Sequence, residues 1–422
     1  MSLAARVSQV LKGRTVQNLL ALYGVQLANY LLPLLTIPYL ARVLGPEGFG
    51  KLTLAQALAQ YLFWVLEYGF MFSATREVAR VRDNPKRLGE IIAGVLQARL
   101  FLLTPVAGLT FLLAYLIPTL KGEWGLVFGV FIFAVGSSFN FVWFFQGLER
   151  MRVVSIIEIG GRILATFGIF LFIKKPEDVA LPLYLQALSL FLTNGLGFYW
   201  AIKAVHWPGL SGGGVWLQKG FGLFAYNVGA ALYANVNLVT ASFLLSPIQM
   251  GHYVAAEKVV RVLINLWVPI GRLFFPKLSF EITRNLAGSR RWMLYGGLAT
   301  LSIGLLAAFT LFVFAPFITS FLFGSGYEEV ASLIKTMAPF LILNAASGFL
   351  SQQVVLPLGL DRALLWGILW AGVWNAVLAV YTVPRWGPWG LAWVMVIGEA
   401  WVLGITLWIL LFRQSFFSKE KK

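Results

Sequence analysis

The chain has 422 residues, 59% of them hydrophobic and 12% charged, with no cysteine. Soluble domains are roughly 45–50% apolar and about 25% charged, so a water-soluble globule is excluded and an all-α integral membrane protein is expected. Thiolate catalysis, Cys-ligated metal and disulfides are excluded too; the net charge of +16 would suit nucleic acid only on one soluble face, and here it is strung between apolar runs.

A helix needs about 20 apolar residues to cross the hydrocarbon core. Twelve runs qualify in chain order: 16–41, 52–75, 89–117, 124–146, 153–173, 180–202, 220–244, 252–276, 292–320, 330–357, 363–383 and 389–412. The links are short and punctuated by Gly and Pro, as in Pro384-Arg385-Trp386-Gly387-Pro388. Met1 to Arg14 is short and basic, without the pattern of a cleavable signal.

Leu44-Gly45-Pro46-Glu47-Gly48-Phe49-Gly50-Lys51, between the first two runs, returns as Leu245-Ser246-Pro247-Ile248-Gln249-Met250-Gly251-His252. A second echo sets Gly147-Leu148-Glu149-Arg150 against Gly359-Leu360-Asp361-Arg362. Both echoes are separated by about half the chain, which predicts two similar lobes in tandem. The expected division is an N-terminal six-helix lobe over 1–203, a cytoplasmic linker over 204–219 and a C-terminal six-helix lobe over 220–422. Six spans per lobe bring both lobes in from the same side, so the pseudo-symmetry axis should follow the membrane normal, with a central cavity between the lobes as the substrate path.

One set of alternate loops, with the termini, holds 22 Lys and Arg, and the opposite loops hold 6. That asymmetry predicts cytoplasmic N- and C-termini. It also accounts for most of the net charge without nucleic acid as a partner.

Charges inside spans are costly and mark functional candidates. Arg99 falls near the membrane midplane, and Arg162, Lys258, Arg261 and Lys335 complete the basic set; Lys335 lies close enough to a span end to snorkel. Glu158 with Arg162, and Glu257 with Arg261, are spaced to share a helix face, so self-neutralising pairs compete with cavity lining as their explanation. Glu67 and Glu399 lack a local partner and, with Glu257, are candidates for coupling transport to an ion. Asn29, Tyr226, Asn227, Asn235, Asn237 and Gln352 offer the donors, acceptors and flat faces that suit sugar hydroxyls, though hydrogen bonds between helices explain them equally simply. No phosphate-binding loop with Lys-Ser/Thr, no histidine cluster and no long outer loop is present, so no ATPase module, metal site or cofactor is expected.

Pro38-Tyr39-Leu40-Ala41-Arg42-Val43-Leu44-Gly45-Pro46-Glu47-Gly48-Phe49-Gly50 resembles the opening of Wzx-type polysaccharide (O-antigen) flippases. The likeness continues through Glu67-Tyr68-Gly69-Phe70 and Ala74-Thr75-Arg76-Glu77. Later it takes in Gly251-His252-Tyr253-Val254-Ala255-Ala256-Glu257-Lys258 and Phe323-Gly324-Ser325-Gly326-Tyr327. The resemblance covers essentially the whole chain and implies the multidrug/oligosaccharidyl-lipid/polysaccharide exporter superfamily. It further implies two six-helix lobes in a V, and alternating-access flipping of undecaprenyl-diphosphate oligosaccharides in the bacterial inner membrane. By motif it points to Arg42 and Arg76 as cations for the diphosphate, with Arg99, Arg162, Lys258 and Arg261 added by position. Expected partners are the polyprenyl-linked glycan, membrane lipid, H⁺ or Na⁺ as coupling ion, and polysaccharide polymerase or chain-length proteins. The competing readings are a drug or cation antiporter of the same superfamily and a membrane glycosyltransferase or polymerase.

Overall fold

The computed structural model describes residues 14–203, 205–210, 212–221, 224, 240–264, 266–267, 278, 286–358 and 360–419. Within them, side chains are described except at 14–31, 34, 151–152, 154, 286–288, 361–362 and 412–419. The helices are α1 (Arg14–Glu67), α2 (Phe70–Arg80), α3 (Pro85–Leu116), α4 (Trp124–Ser138), α5 (Val142–Gly147), α6 (Met151–Phe172) and α7 (Leu181–Lys203). They continue as α8 (Pro247–Ile264), α9 (Leu286–Leu322), α10 (Glu328–Phe349) and α11 (Asp361–Lys419). A π-helical segment, Leu350–Val355, prolongs α10. No strand occurs among the described residues.

Among these residues, seven helices are long and apolar enough to cross a membrane, and the chain is a multi-pass membrane protein. Two of the expected links are not loops. In α1 the two arms meet at Gly45 (φ 68), and in α11 at Gly387 (φ 55), so each stretch carries two expected spans with one non-helical glycine between them. Positive φ costs glycine little, whereas residues that carry a Cβ rarely adopt it. The outward faces are apolar, with Phe309, Phe312, Phe317 and Phe321 exposed along α9 and Phe101, Phe111 and Tyr115 along α3. Such continuous apolar surface is untenable in water and natural in lipid.

The chain divides into two compact units, Met1–Ala231 and Leu232–Lys422. In the first, α1 packs against α4 and α6, and α7 covers both of those helices. Its core joins Phe70, Val78, Ile92, Phe141, Trp143 and Trp216. Described residues of the stretch expected as a linker, 204–219, pack on this unit. Trp216 is buried in the core, the His206 N–H donates to the Pro85 carbonyl at 3.1 Å, and the Gly213 N–H donates to Gln97 Oε1 at 2.8 Å. In the second unit α10 is central, packed by α8, α9 and α11. Gly304 lets α9 close on α10, since a Cβ there would meet Ala345 Cβ at 2.6 Å.

Candidate functional site

Among the described residues, each unit carries intramembrane charges inside its apolar body. In the first unit, Glu67 and Arg99 lie where two helices break. At the end of α1 the backbone turns through Tyr68 (φ 51) and Gly69 (φ 78) before α2 begins. The Glu67 carboxylate accepts the Gly69 N–H at 2.9 Å and also the Met71 N–H. An anion satisfying free N–H groups at a helix start is the favourable placement, so Glu67 caps α2. Between α4 and α5, Asn140 plays the corresponding part: its Nδ2 donates to the Ser137 carbonyl at 2.9 Å and its Oδ1 accepts the Val142 N–H at 3.3 Å.

Arg99, from α3, lies between these two breaks and is fully buried. Its Nη1 donates to the Asn140 carbonyl at 3.1 Å, an oxygen that Trp143 Nε1 also reaches at 3.0 Å. The guanidinium carbon sits 5.7 Å from the Phe70 ring centre and 5.9 Å from that of Phe139. Nε and Nη2 have no hydrogen-bond acceptor among the described residues. Glu67 acts on Arg99 through space but is not in ion-pair contact with it. The short helices α2 and α5 cover the site and are fastened to each other. Thr75 Oγ1 donates to the Trp143 carbonyl at 3.0 Å, and a Cβ on Gly147 would meet Val78 Cγ1 at 2.6 Å.

In the second unit Arg261 closes on Glu257 one turn earlier in α8, with Nη2 at 2.7 Å and Nε at 2.9 Å from Oε1. Lys258 is half-buried beside that pair, and Tyr253 is fully buried with no hydrogen-bond partner for its hydroxyl among the described residues. Glu399 on α11 faces α10, where its Oε1 accepts Asn344 Nδ2 at 3.2 Å and the Ser347 hydroxyl. One turn further along α10 the wide π turn begins. Ser351 Oγ and Thr406 Oγ1 are 3.1 Å apart, and Gln353 is buried with Oε1 unpartnered among the described residues, while Gln352 is exposed.

The structure therefore brings Arg99 near Glu67, joins Arg261 to Glu257, and sets Lys258 and Glu399 close enough to act on that pair through space. The spacing of Glu158 and Arg162 does not close into an ion pair; Arg162 is exposed on α6. Arg42 and Arg76 are exposed, on α1 and α2. Asn29 lies on α1 where side chains are outside the described ones, and Tyr226, Asn227, Asn235 and Asn237 lie outside the described residues. Sequence reasoning missed Asn140, Asn344 and Ser347. Asn140 sits alone between two apolar runs, which is the signal that marks a buried break; Asn344 and Ser347 stand one turn apart within an apolar run and reveal their role only once Glu399 is opposite.

A family model described as "Polysaccharide biosynthesis protein" matches residues 15–280. A protein named "Putative O-antigen transporter" from Escherichia coli (strain K12) is 28% identical over 348 residues, covering 81% of this chain and 83% of its own. Its namesake from Shigella dysenteriae is 26% identical over 388 residues, covering 89% and 94%. Among solved structures, "Lipid II flippase MurJ, inward closed conformation" superposes with a TM-score of 0.72 at 14% identity, over 93% of this chain and 87% of that one. An inward-facing multidrug resistance MATE family transporter of the MOP superfamily gives 0.69 at 15% identity, over 92% and 95%. At these identities the structural likeness is one of fold: the two-lobe, all-α fold of that superfamily.

Proposed function

The chain belongs to the polysaccharide biosynthesis protein family, and on that premise we propose that it is a flippase for polyprenyl-diphosphate-linked oligosaccharides. It takes the lipid-linked repeat unit from the cytoplasmic to the outer leaflet of the bacterial cytoplasmic membrane by alternating access, with both termini in the cytoplasm. The curated relatives, named for O-antigen transport, support the substrate class.

The observation that carries the reading is the state of the intramembrane charges. Three of the four acids are engaged: Glu67 by a helix N-terminus, Glu257 by Arg261, Glu399 by Asn344 and Ser347. The bases are less spent. Arg99 keeps two donors without an acceptor, and Arg162 and Lys258 touch no carboxylate among the described residues. Uncommitted positive charge in a low-dielectric region favours an anionic passenger over a cationic drug. A diphosphate supplies the missing acceptors, and its prenyl chain stays in lipid.

Arg99 is the central cation in this scheme, and movement of α2 and α5, each bounded by a helix break, opens it to the diphosphate. Arg162, Lys258, Arg261, Arg42 and Arg76 act as further cations along the path; Asn29, Tyr226, Asn227, Asn235, Asn237 and Gln352 meet the glycan. Coupling falls to Glu399, because both of its hydrogen bonds land on Oε1 and leave Oε2 for H⁺ or Na⁺. Glu67 and Glu257 have their carboxylates committed elsewhere. Polysaccharide polymerase and chain-length proteins receive the product on the outer side.

The test is reconstitution into liposomes with a fluorescent polyprenyl-diphosphate oligosaccharide, with and without a proton or sodium gradient. Protein-dependent transfer to the outer leaflet is the expected result. No transfer under any gradient, together with drug–cation exchange by the same preparation, replaces this reading with that of an antiporter.

A further inference from the structure

Lys51 follows Gly50 in the repeated segment, and its Nζ lies 2.9 Å from Glu47 and 2.9 Å from Glu123. Glu123 stands immediately before α4, behind Gly122 with φ 81. In the second copy of the segment the residue at the place of Lys51 is His252, after Gly251. Its Nδ1 is 3.1 Å from Glu329 Oε2 and its Nε2 is 2.8 Å from the Gly326 carbonyl. Glu329 opens α10, the counterpart of α4 in the repeat, behind Gly326 with φ 86. Each unit thus ties its repeated segment to the start of its fourth span, one nitrogen base to one carboxylate.

The two ties differ in chemistry. Burial works against the charge of Lys51, but Glu123 and Glu47 outweigh it and hold its pKa above the ordinary lysine value, so this base stays charged at physiological pH. Both ring nitrogens of His252, in contrast, face acceptors. A neutral imidazole donates from one nitrogen only, so the pair of contacts is complete only in the imidazolium. The ring is buried, 5.7 Å from the Tyr327 ring. The charged groups around it are Glu329 and, through space, Glu328, both from the start of α10. On its own helix Glu257 is engaged by Arg261, and on α11, which also packs against α8, Arg385 turns onto Tyr381.

We propose that His252 is a proton-operated clasp. Protonated, it holds the 323–329 loop onto α8 through Gly326 and Glu329; on losing a proton it releases one of these contacts, while the lysine clasp of the first unit stays shut. The two units therefore respond differently to protonation, and only the second loosens when its base gives up a proton. This inference does not depend on the identity of the passenger.

Hydrogen–deuterium exchange on the full chain in lipid nanodiscs tests it, at about pH 5.5 and about pH 8 with rates corrected for intrinsic exchange. Amides of 323–329 should exchange roughly tenfold faster at the higher pH, the consequence of losing one charged hydrogen bond, and those of 119–124 should not change. His252→Lys should hold the loop slow at both values, and His252→Gln should leave it fast at both. Lys51→His should carry the pH response to 119–124 and keeps the idea testable if a His252 variant does not fold. A wild-type loop indifferent to pH, or a response that survives in His252→Gln, overturns the clasp.

Discussion

Replacing Arg99 by methionine separates transport from folding. The change removes a charged hydrogen bond to Asn140, worth about 1.5–3 kcal/mol. It also removes two cation–ring contacts near the limit of their range, worth about 0.5 kcal/mol each. Against that loss stand Nε and Nη2, two buried donors without an acceptor among the described residues, each costing about 1–3 kcal/mol in the wild type. Methionine fills the same space with no polar atom to satisfy. The terms cancel to within about 2 kcal/mol, so the variant should remain monodisperse in detergent with a Tm within about 4 °C of wild type. Its transfer of labelled lipid-linked glycan should nevertheless fall to the background of empty liposomes, and Arg99→Lys should recover part of it. Wild-type transfer by a folded Arg99→Met protein would refute the role of this cation in passage. A collapse in Tm would show that Arg99 is needed to hold the two breaks together instead.

Glu399→Gln should leave glycan exchange in the absence of a gradient intact while abolishing acceleration by an imposed proton or sodium gradient; equal acceleration in both proteins would remove Glu399 from coupling. Gly147→Ala places a Cβ against Val78 and the Thr75 carbonyl and should cost about 1–3 kcal/mol, read as a lowered Tm, with Val78→Ala in the same chain restoring most of it. Asp178 accepts the N–H groups of Lys174 and Lys175 at 2.9 Å each, and these hold its pKa below the ordinary aspartate value. The Lys174 and Lys175 amides should therefore keep their full protection above the usual aspartate range and lose it only as pH falls through the lowered value. Amide exchange measured during acidification should show this, and Asp178→Asn should flatten the response.

Spans were legible because a bilayer demands long apolar runs, and Gly and Pro mark where they stop. Sequence also showed that the segment around Lys51 returns around His252. It did not show that each has a carboxylate at the start of its fourth span, because Lys51 and Glu123 are brought together only by the packing of α1 on α4. Arg99 was visible as a charge where none belongs, yet the Asn140 carbonyl is a backbone atom and has no signature in side-chain chemistry. Glu67 was read as a coupling acid because no base lies within one helical turn. Its partners are the N–H groups of Gly69 and Met71, which become free only if the helix breaks at Tyr68. Glu257 and Arg261 closed as their spacing suggests, whereas Glu158 and Arg162, at the same spacing, did not; spacing alone brings side chains to one face without fixing their rotamers.

The wide turn at Leu350–Val355 has a mechanical corollary. A π segment holds one residue more than an ordinary helix of the same length, and each residue of an α-helix advances the chain by 1.5 Å and about 100°. Drawing that surplus out would swivel the end of the span by about this angle with little change in tilt, and would exchange the inward glutamine, Gln353, for the outward one, Gln352. A helix built this way can turn like a key.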